Sequence, residues 1–112
     1  MKRRGAQAED QALEFLRARG LRLRDRNFRC RLGEIDLIMD DAGTLVFIEV
    51  RARSSQAFGG AAESITARKR SRLLAAARFY MAGAAPLPAC RFDAVLIGPG
   101  DKLEWLRDAF GE

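Results

Sequence analysis

Gly33-Glu34-Ile35-Asp36-Leu37-Ile38-Met39-Asp40-Asp41-Ala42-Gly43-Thr44-Leu45-Val46-Phe47-Ile48-Glu49-Val50-Arg51-Ala52-Arg53 is the stretch on which the fold turns. Two apolar runs flank an Asp40-Asp41-Ala42-Gly43 turn. Gly33 to Met39 reads as one strand, and Leu45 to Arg53 as another, rich in β-branched and aromatic residues that suit a pleated, half-buried surface. Together they predict a hairpin. Alternation then places Glu34, Asp36 and Ile38 on one face of the first strand, and Phe47, Glu49, Arg51 and Arg53 on one face of the second. A carboxylate in the middle of a central strand costs free energy unless it is paired or holds a metal. Asp36 and Glu49 both occupy such places, and two acids on adjacent strands can converge on one hard cation. Magnesium takes oxygen ligands and keeps some of its waters. It can then polarise a phosphoryl oxygen and activate a water. Each acid alone has an ordinary alternative: Asp36 paired with an arginine, Glu49 paired with Arg51 or Arg53, Glu34 a solvated strand end. The pair Asp36 and Glu49 at hairpin spacing favours the metal site.

Working outward, Gly5 to about Arg19 predicts an amphipathic helix, with Ala12, Leu13 and Leu16 at helical spacing and Gly20 as its stop. Glu9 falls on the core-facing stripe of that helix and supplies a third acid. Leu21 to Phe28 alternates apolar and basic residues as a half-exposed strand does. Ser54 to Ala62 reads as a mobile loop. Thr66 to Ala82 predicts a second helix, capped by Ser64 or Thr66, with Leu73, Ala77, Tyr80 and Met81 as its stripe and Gly83 at its end. Pro86-Leu87-Pro88 is a connector. Arg91 to Ile97 is a fourth strand, and Lys102 to Leu106 a shorter fifth after the Gly98-Pro99-Gly100 turn. Helix, three strands, helix, two strands implies an α/β sandwich around a mixed sheet of about five strands. At 112 residues it is read as one domain, 1–112.

The chain lacks histidine, which excludes His-based catalysis and His-ligated zinc. Its net charge of +5 fits a polyanionic partner, and the placement of the cations matters more than their sum. Arg68, Lys69, Arg70 and Arg72 crowd the first turns of the second helix, against the helix dipole, at ~0.3–1 kcal/mol each. A phosphate backbone nearby would offset that cost. Arg22, Arg24, Arg26, Arg29 and Arg31 add a basic run. Cys30 and Cys90 form no disulfide framework and no metal-ligand spacing. The basic start has no apolar stretch behind it, and no run approaches the ~20 residues of a membrane span. A cytoplasmic protein with reduced cysteines and no membrane partner is expected.

These residues resemble the PD-(D/E)XK nuclease superfamily, with an acid on one strand and Glu-X-Lys on the next. More closely, Gly5-Ala6-Gln7-Ala8-Glu9, Gly33-Glu34-Ile35-Asp36-Leu37-Ile38, Phe47-Ile48-Glu49-Val50-Arg51-Ala52-Arg53 and Arg91-Phe92-Asp93 resemble the bacterial YraN-like family through nearly the whole chain. The first segment and the Asp…Glu-Val-X hairpin are also similar to archaeal Holliday-junction resolvases. The resemblance implies a restriction-endonuclease-like fold and a nucleic-acid substrate such as branched or structured DNA. It implies a Mg²⁺ or Mn²⁺ site made of Glu9, Asp36, Glu49 and the Val50 carbonyl. From the resolvases alone it implies a homodimer. Arg51 departs from the pattern, which expects a lysine there. Lysine can position the attacking water and lose a proton, whereas arginine stays protonated and is bulkier. Lys69, at the inward edge of the second helix, could supply the missing ammonium group.

Three functions follow. The first is a metal-dependent endonuclease using Glu9, Asp36, Glu49, Arg51 and Lys69, with Arg53, Arg68, Lys69, Arg70 and Arg72 on nucleic acid. The second is a non-catalytic nucleic-acid-binding module with a degenerate site, which Arg51 favours over the first. The third is a protein-interaction domain, which the basic helix start and the arginine run disfavour.

Overall fold

In the computed structural model, which describes residues 4–52 and 66–109, the hairpin closes on two residues. Asp41 pairs with Thr44, and Ala42 and Gly43 between them have φ of 52° and 97°. Positive φ at both positions gives the turn a twist that matches the strands, and Gly43 meets the requirement without steric cost. The strands run on through the acidic turn predicted for 40–43, as β2 (Gly33–Asp41) and β3 (Thr44–Ala52).

Before them come α1 (Arg4–Ala18) and β1 (Arg22–Cys30), and after them α2 (Ala67–Met81), β4 (Cys90–Ile97) and β5 (Leu103–Leu106). The sheet order is β1-β2-β3-β4-β5, antiparallel throughout except that β3 and β4 are parallel. A parallel pair needs a long crossover, and the chain segment containing α2 supplies it. Ala8, Ala12, Leu13 and Leu16 of α1 are buried with Leu37, Met39, Val46, Ile48 and Val50 on one face. Leu73, Ala76 and Ala77 of α2 are buried with Ile35, Ile38, Leu45 and Phe47 on the other. The mixed five-stranded sheet between helices is therefore the expected α/β sandwich. The Ser64 cap and the 54–62 loop lie outside the described residues; Thr66 is the cap, its hydroxyl accepting from Lys69 N–H at 3.2 Å.

One departure from the sequence reading shapes the site. Strict alternation puts Ile35 and Ile38 on opposite faces, yet both belong to the α2-side cluster, while Leu37 and Met39 belong to the α1 side. The β2–β3 ladder ends at Leu37–Ile48. Beyond that rung β2 stays with β1, pairing Glu34 with Arg29 and Gly33 with Cys30, and β3 stays with β4 as far as Ala52–Ile97. The sheet forks there, and Asp36 stands at the fork. At the start of β2 the backbone presses on α2. A Cβ on Gly33 would stand 2.5 Å from the Arg72 carbonyl oxygen, so only glycine fits without a shift.

Candidate metal centre and nucleic-acid cleft

The fork opens a cleft of about 410 Å³ lined by Ala8 and Glu9 of α1, Glu34 and Asp36 of β2, Glu49 to Ala52 of β3, and Lys69 and Arg72 of α2. Asp36, Glu49 and Glu9 are thus brought to one wall, with Arg51 and Lys69 beside them. The Asp36 carboxylate accepts the Val50 N–H at 2.8 Å, taking the place of the ladder bond that the fork removes. Burial pushes Asp36 up to about 6, the Glu9 charge adds to the rise, and the Val50 N–H opposes it. Glu49 is pushed up to about 8, first by burial and then by the Asp36 charge, while Arg51 and Lys69 pull it back. The Arg51 guanidinium is 4.0 Å from the Glu49 carboxylate. Two half-buried carboxyls side by side resist ionising together, and nearby positive charge is what relieves them.

Glu9 is mostly buried and engaged by β1. Arg26 Nε lies 3.5 Å from its Oε1, and Arg26 Nη2 lies 2.5 Å from Asp10 Oδ1. The bond to Asp10 first, and then that to Glu9, raises the arginine against the opposing effect of burial. Among the described residues no three carboxylates stand close enough to enclose a metal ion. The donors nevertheless fit a hard cation in kind, since every side-chain candidate is a carboxylate oxygen. Glu9 would have to leave Arg26 to join Asp36 and Glu49, and Asp10 would keep the arginine anchored meanwhile. Glu34 is 58 % exposed and paired with Arg29 at 3.1 Å, the arrangement of a solvated strand end. Arg68 and Arg70 are exposed and stand outside the cleft lining. Arg53 lies outside the described residues.

A second acid is treated differently. Asp93 on β4 is fully buried. Its carboxylate accepts from Arg91 Nε at 3.1 and 3.3 Å, from Trp105 Nε1 at 2.9 Å and from the Asp108 N–H at 2.9 Å. Arg91 also reaches Asp41 at 2.9 Å. Burial opposes the arginine's charge, but its bonds to Asp93 and Asp41 hold it above its ordinary value. This is an ion-pair network in which every Asp93 contact is a donor from within the fold, although Arg91 Nη2 is buried without a hydrogen-bond partner, and Asp93 is not among the residues that line the acid cleft.

A family model matches residues 8–97, a span that holds Glu9, Asp36, Glu49, Lys69 and Asp93. The chain belongs to the uncharacterised protein family UPF0102. That family lies in the restriction-endonuclease-like superfamily, with which the five-stranded sheet between helices is consistent. The chain is 58% identical to a UPF0102 protein of Ralstonia nicotianae over 96% of this chain and 85% of the relative. It is 54% identical to one of Nitrosomonas europaea over 97% of this chain and 94% of the relative. A Nitrosococcus oceani UPF0102 protein is also 54% identical, over 96% and 90%. No helix among the described residues is long and apolar enough to cross a membrane.

Two residues of this UPF0102 chain escaped the sequence reading. Arg26 appeared only as one of a basic run, because its partners lie 16 and 17 positions away on another element. Asp93 carried a readable signal, an acid inside the apolar run Phe92 to Ile97, the same signal that marked Asp36 and Glu49. Arg72 was read as a backbone-phosphate contact and turns out to line the cleft itself.

Proposed function

We propose that this UPF0102 chain is a metal-dependent phosphodiesterase that cuts nucleic acid, with branched or structured DNA as its substrate. The observation that carries the reading is the pair Asp36 and Glu49. They are half-buried side by side, lack the ring of donors that Asp93 has, and share one cleft with Lys69 and Arg72. Asp36, Glu49, Glu9 and the Val50 carbonyl are the groups that would hold Mg²⁺ or Mn²⁺. A bound ion of that kind supplies polarisation of a phosphoryl oxygen and a water made acidic enough to attack. The chain's own residues do the rest. The Val50 N–H fixes the orientation of Asp36. Lys69 brings an ammonium group to the Glu49 side of the cleft, where it can hold a water or offset charge on a phosphate. Arg72 at the rim binds a phosphate without reading sequence. Cys30 and Cys90 form no disulfide among the described residues, which is in keeping with a cytoplasmic site of action.

Calorimetric titration with Mn²⁺ should show one site in the wild type and none in Asp36→Asn. Cleavage of a panel of linear and branched DNAs with Mg²⁺ or Mn²⁺ should disappear in the same variant. Equal metal binding in the two proteins would show the site to be misassigned. A second reading, a module that binds but does not cut, draws on Arg51, which stands beside Glu49 where the superfamily pattern has lysine. Metal and DNA binding with no cleavage of any substrate in the panel would establish it.

A further inference from the structure

Further along α2 from the cleft-lining Arg72, the helix meets the edge strand β1 at an exposed aromatic ring. Phe79 is 55% exposed, a large apolar side chain on a helix whose sequence, Ala-Arg-Lys-Arg-Ser-Arg-Leu-Leu-Ala-Ala-Ala-Arg-Phe-Tyr-Met, holds no acid. Arg68, Arg72, Ala75 and Phe79 follow helical spacing and form one stripe. Arg72 lines the cleft and its backbone packs on Gly33, while the Phe79 ring centroid is 6.3 Å from that of Phe28 on β1. The stripe therefore runs from the rim of the acid site to an aromatic ring about 10 Å further along the helix, at the 1.5 Å rise per residue of an α-helix. Phe28 is itself packed edge-on to Tyr80, with centroids 5.1 Å apart, so the ring beside Phe79 is held in place. Arg68, Lys69, Arg70 and Arg72 form no ion pair among the described residues, whereas Arg26 and Arg29 of β1 are paired with acids. Arg22, Arg24 and Arg31 are exposed as well, but Arg68 and Arg72 are the cations that share a helical stripe with the Phe79 ring.

We infer that Phe79 is a base-stacking residue, and that the α2 face takes a single-stranded segment whose backbone lies on Arg68 and Arg72 and whose unpaired base stacks on the Phe79 ring. Cations that track a backbone, followed by an aromatic that receives a base, are the two parts of a single-strand site. A base inside a duplex is covered on both faces and cannot use the ring, so the arrangement selects a frayed end, a flap or the open centre of a branch. The inference rests on the nucleic-acid reading above and narrows its substrate to DNA with unpaired nucleotides next to the cut.

The test compares wild type, Phe79→Ala, Phe79→Leu and Phe79→Trp by fluorescence anisotropy on a labelled fifteen-nucleotide oligo-dT and on a blunt duplex of the same length, without divalent metal. Phe79→Ala and Phe79→Leu should each weaken oligo-dT binding about 5- to 150-fold, the range that loss of one base–aromatic stack produces, and leave duplex binding within about twofold. Phe79→Trp should bind oligo-dT at least as tightly as wild type. If Phe79→Leu matches wild type, an apolar contact suffices and stacking is refuted. If Phe79→Ala weakens duplex and oligo-dT equally, the single-strand role is refuted while the nucleic-acid reading stands. Absence of binding to both DNAs in the wild type overturns both readings. A concentration-dependent dimer by sedimentation that Phe79→Ala dissolves would assign the ring to a second copy of the chain and overturn the inference.

Discussion

Asp93 and Glu49 lie one rung apart on neighbouring parallel strands, Asp93 opposite Ile48 and Glu49 opposite Ala94, and by alternation on opposite faces of the sheet. Both are acids embedded in apolar strands, and they have opposite fates. Asp93 is surrounded by donors from Arg91, Trp105 and the Asp108 backbone, so its charge is distributed within the fold. Glu49 faces another carboxyl, with Arg51 at the limit of an ion pair and Lys69 beyond. A buried charge is tolerated when it is paired and hydrogen-bonded, and Glu49 has fewer donors for its charge than Asp93 has. The difference teaches that burial of an acid says little until its donors have been counted. It separates a strut from a site within a single sheet.

The strongest way to break that comparison is to remove each acid in turn. Asp93→Ala leaves buried Arg91 without its main partner and orphans the Trp105 Nε1–H. Loss of one partner from a buried pair costs about 3–5 kcal/mol, a large share of a small domain's stability. Urea denaturation should show that loss, with Asp93→Asn intermediate because its amide oxygen still accepts. Asp36→Asn should cost far less, since it relieves the repulsion on Glu49 while losing only part of the bond to Val50 N–H. An Asp36→Asn protein less stable than Asp93→Ala would invert the two roles.

The next effect is on rate. Lys69→Ala should lower metal-dependent cleavage about 10²–10³-fold, the size expected for one charge-stabilising donor, with a much smaller change in DNA affinity. Arg51→Lys placed in that background should restore part of the activity, and in wild type should raise cleavage several-fold. If Lys69→Ala cuts as fast as wild type, the α2 ammonium has no part in the chemistry.

A smaller effect is the pH dependence of metal-free stability. Asp36 rises from 3.8 to about 6 and Glu49 from 4.5 to about 8 in the folded chain. Groups raised on folding bind protons more tightly in the native state. Their contribution is therefore complete below about pH 4 and is lost as pH climbs through about 6 and then about 8. Thermal melts should show stability falling over that window, with Asp36→Asn/Glu49→Gln flattening the fall. Saturating Mg²⁺ should reverse it by binding the ionised acids. An unchanged slope in the double variant would show that other groups set it.

Much of this was legible in the sequence, for identifiable reasons. The hairpin, both helices and the mixed sheet follow from periodicity and from turn residues at 42–43 and 83. Asp36 and Glu49 stood out because each interrupts a run of apolar residues. What escaped lies in tertiary geometry. Alternation assumes a continuous ladder, so it could not show the fork beyond Leu37–Ile48 that turns Ile35 to the α2 side. The Arg26 bridge joins elements with no local pattern between them. Asp93 gave the same one-dimensional signal as Glu49, and only the donors arriving from β5 and the turn after it distinguish the two.

Gly33 has a bearing on how such a site can change over time. Its contact with the Arg72 carbonyl is made by backbone on backbone, so the aperture between β2 and α2 is gauged without any of the acids or cations that face it. Exchange of Arg51, Lys69 or Glu9 alters the charge and the lining of the opening and leaves the approach of the β2 backbone to α2 alone. A lineage can therefore change the charges in the cleft one substitution at a time, all the while inheriting the same spacing between strand and helix.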